Sequence, residues 1–69
     1  MTTADIENRF TYHPPKKDQA ERYETMRGQA RELALHIYAE APDSREKSLA
    51  LIKLEEAVMW ANAAIARNE

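Results

Sequence analysis

The chain has 69 residues, a formal net charge of −2, no cysteine and a single glycine. That length allows one small domain. The missing cysteine excludes disulfide frameworks, zinc–thiolate sites and thiol catalysis, and abundant alanine with scarce glycine favours helix over an all-β design.

With 10 basic against 12 acidic residues, no overall field attracts nucleic acid, so any phosphate binding must come from local basic clusters. No apolar run approaches membrane-spanning length, and Met1–Asp5 lacks the basic and apolar regions of a signal peptide. A soluble intracellular protein is the expectation. Residues 1–17 read as an N-terminal arm. Its last part, Phe10-Thr11-Tyr12-His13-Pro14-Pro15-Lys16-Lys17, places two aromatics, an imidazole, a stiff Pro-Pro and two lysines ahead of the first helix. Rings can stack on bases while cations meet phosphates, so the mixture suits a flat, negatively charged ligand. It equally suits an aromatic anchor that fixes the arm onto a neighbouring helix. Both readings stay open on sequence alone.

The first helix is predicted over about 18–41. Asp18-Gln19-Ala20-Glu21 has the D-x-x-E form of a capping box, directly after Pro-Pro. Its apolar seam is Tyr23, Met26, Ala30, Leu33 and Ile37, spaced 3, 4, 3, 4. Pro42 ends it by removing a donor and pushing Ala41 out of helical geometry. Asp43-Ser44-Arg45-Glu46 repeats the capping pattern and starts a second helix over about 44–67, with the seam Leu51, Leu54, Val58, Ala61 and Ile65. So short a connection makes the helices antiparallel neighbours. The predicted fold is all-α: one domain over 1–69, a short arm plus an antiparallel two-helix hairpin.

Such a hairpin buries too little by itself to offset the entropy of ordering its chain. Leu35 and Tyr38 on the first helix, and Leu49, Ile52, Met59, Trp60 and Ala63 on the second, form apolar faces off the seams. A homo-oligomer that buries them is therefore expected. Trp60 and Asn62 would line an oligomer contact or a second pocket. Gly28, mid-helix and away from the seam, marks either a close approach or a tolerated surface position.

Catalytic machinery is not visible. His36 sits at helical spacing from Glu32 and Glu40 without a further histidine, so a solvated face outweighs a metal site. No nucleophilic arrangement or Gly-rich phosphate loop occurs. Glu55 and Glu56 are adjacent and point about 100° apart, poor geometry for shared acid–base work. The basic residues are more informative. Arg27 and Arg31 lie one turn apart with Thr25 close by, and Lys16 and Lys17 stand at the helix start, where phosphate oxygens are favoured. Pairing of the arginines with Glu24 and other acids of the same helix is the competing reading.

Four stretches, Glu7-Asn8-Arg9-Phe10-Thr11-Tyr12-His13-Pro14-Pro15, Glu21-Arg22-Tyr23-Glu24, Pro42-Asp43-Ser44-Arg45-Glu46 and Lys53-Leu54-Glu55-Glu56-Ala57-Val58-Met59-Trp60-Ala61-Asn62, resemble the phage anti-CBASS sponge family. Its hairpin domain is shared with anti-Thoeris sponges, and the resemblance covers nearly the whole chain. It implies a non-enzymatic protein of the host cytoplasm that sequesters cyclic oligonucleotide second messengers and so blocks CBASS-type anti-phage signalling. It implies a compact homohexamer that holds cyclic dinucleotides such as 3′,3′-cGAMP between protomers. In some relatives, cyclic trinucleotides occupy separate pockets around a symmetry axis. No cofactor, catalytic residue, metal, DNA or membrane partner is implied.

In that family an arm aromatic stacks on a base and a basic residue of the first helix meets phosphate. Tyr12 takes the first position, and Arg27 is the best match for the second. Arginine in place of the relatives' lysine keeps the charge but changes the hydrogen-bond geometry. Phe10, Thr11, His13 and Lys16 are neighbours by proximity, and Thr25, Arg31 and Arg67 are candidates for a trinucleotide pocket. The alternative is an oligomeric helical-hairpin interaction module whose second helix docks a host or phage protein.

Overall fold

The computed structural model describes residues 1–69 as three helices without a strand: α1 (Thr3–Phe10), α2 (Gln19–Glu40) and α3 (Arg45–Asn68). The all-α expectation holds with one helix more, because the first part of the arm is itself helical. The reason is a capping box that the sequence reading passed over. The Thr2 hydroxyl accepts from the Asp5 N–H (3.1 Å), and the Asp5 carboxylate accepts from the Thr2 N–H (2.9 Å). Together they satisfy two orphan donors of the first turn. Thr11 ends α1 in extended geometry.

The start of α2 corrects a second expectation. Asp18 stands at the N-cap but makes no side-chain cap bond; its carboxylate lies 3.5 Å from the Arg22 guanidinium instead. The carboxamide of Gln19 organises the junction, its oxygen accepting from the Lys16 N–H at 2.9 Å. Lys17 turns the chain into α2 with φ of 51°, the left-handed region that side chains other than glycine seldom occupy.

Pro42 stops α2 as expected. Ala41 is extended, its N–H still bonded to the Ile37 carbonyl at 2.9 Å. Ser44 caps α3, accepting from the Lys47 N–H at 3.1 Å. The two long helices run antiparallel, since the start of α2 meets the end of α3 through Arg22 and Glu69 while Tyr38 meets Lys47 at the turn. The α3 seam lies half-buried as predicted, at Leu51, Leu54, Val58, Ala61 and Ile65. On α2 the half-buried set includes Tyr23, Met26, Ala30, Ala34 and Ile37, and Leu33 is 48% exposed. A strict 3.5-residue repeat drifts around a straight helix by about 20° per heptad, which brings Ala34 rather than Leu33 toward α3.

No hydrophobic residue is fully buried; the two buried residues are Gln19 and Lys47. The Cα frame measures 44 × 29 × 13 Å, a single layer of helices where a self-sufficient domain packs two.

Candidate functional site

The arm is held in place, yet its aromatic rings are not. The Asn8 amide donates to the Arg67 carbonyl at 3.3 Å, and the His13 ring Nε2 donates to the Asn8 carbonyl at 2.8 Å. The Thr11 hydroxyl donates to the Glu7 carbonyl, and the Lys16 ammonium to the Glu69 main-chain oxygen at 2.7 Å. Phe10 and Tyr12 nevertheless remain 85% and 79% exposed. They therefore do not anchor the arm within the protomer; polar contacts do that. His13 and Lys16, read as ligand neighbours, are engaged with main-chain oxygens here.

On the hairpin, α2 and α3 enclose an open groove of about 610 Å³. It is lined by apolar Leu54, Val58 and Met59 and by polar Arg27, Arg31, Glu55 and Asn62. Such a volume falls within the range of small-molecule sites. The ion pairs of the chain join Arg22 to Asp18 and Glu69, Lys47 to Asp43, and Lys53 to Glu56. Arg27 and Arg31 take part in none, so the competing reading of intrahelical pairing is not realised and both charges stay open to an anion. The Asn62 side-chain oxygen is buried in this groove without a partner, a costly state for a polar atom.

The other proposed residues are dispersed. Thr25 lines a second groove of about 360 Å³ with Asp18, Glu21, Arg22, Met26 and Ile65, and its hydroxyl donates to the Glu21 carbonyl at 3.0 Å. Arg67 is half-buried at the far end of α3. Within one protomer Thr25, Arg31 and Arg67 therefore share no groove. Tyr12 lines none of the three principal grooves. None of the three principal grooves of the protomer joins Tyr12 with Arg27, or Thr25 with Arg31.

Sequence reading missed the polar cluster where the arm, α2 and α3 converge. The Arg22 guanidinium grips the Glu69 carboxylate with two bonds of 2.9 Å, and the Gln19 amide donates to the same carboxylate at 3.3 Å. These bonds, Arg22 foremost, hold the Glu69 carboxyl below its ordinary value and raise the Arg22 guanidinium further above its own. The partners are 47 and 50 residues apart, beyond any local pattern. Lys47 is the second omission. An Asp43–Lys47 spacing of four was the only local hint of it.

Residues 2–66 match the family model described as Acb2/Tad1, hairpin domain. No curated protein and no solved structure matches the chain.

Proposed function

The chain belongs to the Acb2/Tad1 hairpin family, the anti-CBASS and anti-Thoeris sponges that bind cyclic oligonucleotides, and on that premise we propose that it sequesters cyclic dinucleotides such as 3′,3′-cGAMP without altering them. The ligand sits between protomers of a homohexamer in the host cytoplasm. Tyr12 of one protomer stacks on a base, and Arg27 of another meets a phosphate. Phe10, Thr11, His13 and Lys16 surround the base, and cyclic trinucleotides take a separate intersubunit site built from Thr25, Arg31 and Arg67.

The observation that carries this reading is Tyr12, 79% exposed on an arm that the Asn8 and Lys16 side chains tie to the end of α3 and that His13 braces internally at Asn8. A ring presented from a tethered arm is a stacking plate that costs less entropy to use than one on a loose arm. Arg27 complements it with a cation that makes no ion pair within the protomer. Area supports assembly. The protomer exposes 5695 Å², whereas a compact monomer of 8.0 kDa exposes about 4,450 Å². The excess, about 1,200 Å², is larger than the ~800 Å² that each partner contributes to a standard interface.

The test is a release assay. The protein is incubated with cyclic di- and trinucleotides, filtered, heat-denatured, and the recovered nucleotides are chromatographed. Depletion followed by release of unchanged ligand is the expected result. A linear product would make the protein an enzyme, and no depletion would favour the protein-interaction module. Tyr12→Ala and Arg27→Ala should each weaken dinucleotide binding by about 10- to 100-fold, as loss of one base stack or one charged hydrogen bond implies. Sedimentation should find both variants assembled as in the unmodified protein.

A further inference from the structure

Of the cluster formed by Lys16, Gln19, Arg22 and Glu69 only Lys16 belongs to the pocket proposed above, and Gln19 is the most buried residue of the molecule. Gln19 is 3% exposed. We infer that this cluster is a positioning device: it sets the direction of the arm, and through the arm the place where Tyr12 stands. The inference rests on the reading of Tyr12 as a ligand-stacking residue.

Between α1 and α2 the chain has few ways to bend, because Pro14 and Pro15 are stiff at φ and Lys17 has already taken the left-handed turn, φ 51°. What remains adjustable is the angle at which this stiff segment leaves α2, and three bonds fix it. The Gln19 oxygen accepts from the Lys16 N–H at 2.9 Å, the Gln19 N–H₂ donates to the Glu69 carboxylate at 3.3 Å, and the Lys16 ammonium donates to the Glu69 main-chain oxygen at 2.7 Å. Glu69 is itself fixed by the two-bond fork from Arg22, 2.9 Å each, a geometry that sets orientation as well as distance. One residue earlier than Asn68, Arg67 offers its carbonyl to Asn8, so the end of α3 holds the arm at two points. No apolar side chain of α1 is buried to share this task. The direction of Tyr12 is thus determined by polar contacts that a single substitution can release.

The test uses the full chain and reads arm direction and binding separately. Because the sequence has no cysteine, cysteines introduced at Glu7 on α1 and Ala57 on α3 carry spin labels at unique positions. Labelled subunits are diluted into unlabelled ones so that only distances within a protomer are read. Binding of 3′,3′-cGAMP is measured by calorimetry, and helicity and assembly by circular dichroism and sedimentation. The variants are Glu69→Arg, Arg22→Glu and the double exchange that restores the ion pair with its ends reversed.

Each single variant should broaden the arm distance distribution and weaken binding by about tenfold, with helicity and assembly retained. The exchange should narrow the distribution and recover part of the affinity, since it restores the ion pair but not the bond from the Gln19 amide, and simple loss of surface charge would not reproduce that recovery. A distribution left narrow in both single variants overturns the inference whatever the ligand does. So does a broadened distribution with unchanged affinity. If the unmodified protein binds no cyclic oligonucleotide, the functional reading fails with the inference built on it, and the distances still report whether the cluster fixes the arm.

Discussion

Lys47 carries a positive charge in the first turn of α3, where the exposed N–H groups of a helix disfavour one. The chain resolves this by folding the ammonium back. It donates to the Tyr38 carbonyl at 2.7 Å and to the Asp43 carboxylate at 3.0 Å, and lies 4.1 Å from the centre of the Tyr38 ring. It thereby satisfies a carbonyl from the last turn of α2 and ties both helix ends across the Pro42 turn. Lys47→Met keeps the apolar stem and removes the three contacts, so a loss of about 1–3 kcal/mol is expected in urea unfolding, as for other buried charged hydrogen bonds. Lys47→Arg should recover only part of it, because the planar fork does not fit a site shaped around a point charge. Nothing in the sequence marked Lys47 as special beyond its spacing from Asp43. The Tyr38 carbonyl that gives it a role is a main-chain atom, and its proximity exists only after the turn has formed. Arg27 is the opposite case. Its type and its place on α2 were readable in the chain, and its freedom from acidic partners required the structure.

At the level of elements, α1 is the weakest part. Eight residues are too few for a helix to persist by propensity, and it buries no side chain. Its capping box and the polar contacts at the end of α3 carry it. Thr2→Ala should cost about 1 kcal/mol, expressed as faster amide exchange over residues 3–10 with little change in the middle of α2 and α3. Acid should act on the same element. Asp5 is held below its ordinary value of 3.8 chiefly by its bond from the Thr2 N–H, and Glu69 below 4.5 chiefly by Arg22. A carboxyl whose folded value is depressed adds stability above its unfolded value, and loses it as pH falls through the folded one. The arm should therefore stay ordered above about pH 5 and loosen progressively below about pH 4.5, seen as arm resonances moving toward coil positions while those of the hairpin seam hold. Uniform loss across all three helices would show that the arm is not a separate unit. The two long helices were legible because each repeats its apolar spacing over five positions. The α1 helix was not, because eight residues make barely two turns, too few for an apolar seam to repeat, and the Thr2–Asp5 capping spacing lies outside any such seam.

For the molecule as a whole, the decisive property is the missing second layer. A single sheet of helices, 13 Å thick at the Cα frame, leaves Leu49, Ile52, Met59 and Trp60 of α3 exposed by 36, 48, 61 and 64%. The sequence announced this face, since those residues fall off the seam by simple helical geometry. It did not announce what covers this face, nor how many copies a homo-oligomer would hold, which depends on the angles between several such faces and not on the period of any one. Contacts that exist only between subunits tie folding to concentration by mass action. The midpoint of thermal unfolding should rise by several degrees across a hundredfold increase in protein, and Trp60 fluorescence should shift to longer wavelength in step with loss of helix. Trp60→Lys places a charge that strongly resists desolvation on this face. It should shift sedimentation toward the monomer and remove the concentration dependence, with a large loss of helicity at micromolar protein because the single layer has little else to hold it. A Trp60→Lys protein that remains fully helical as a monomer would show that the α2–α3 seam suffices alone, and would move the exposed face from assembly to the docking of some other protein.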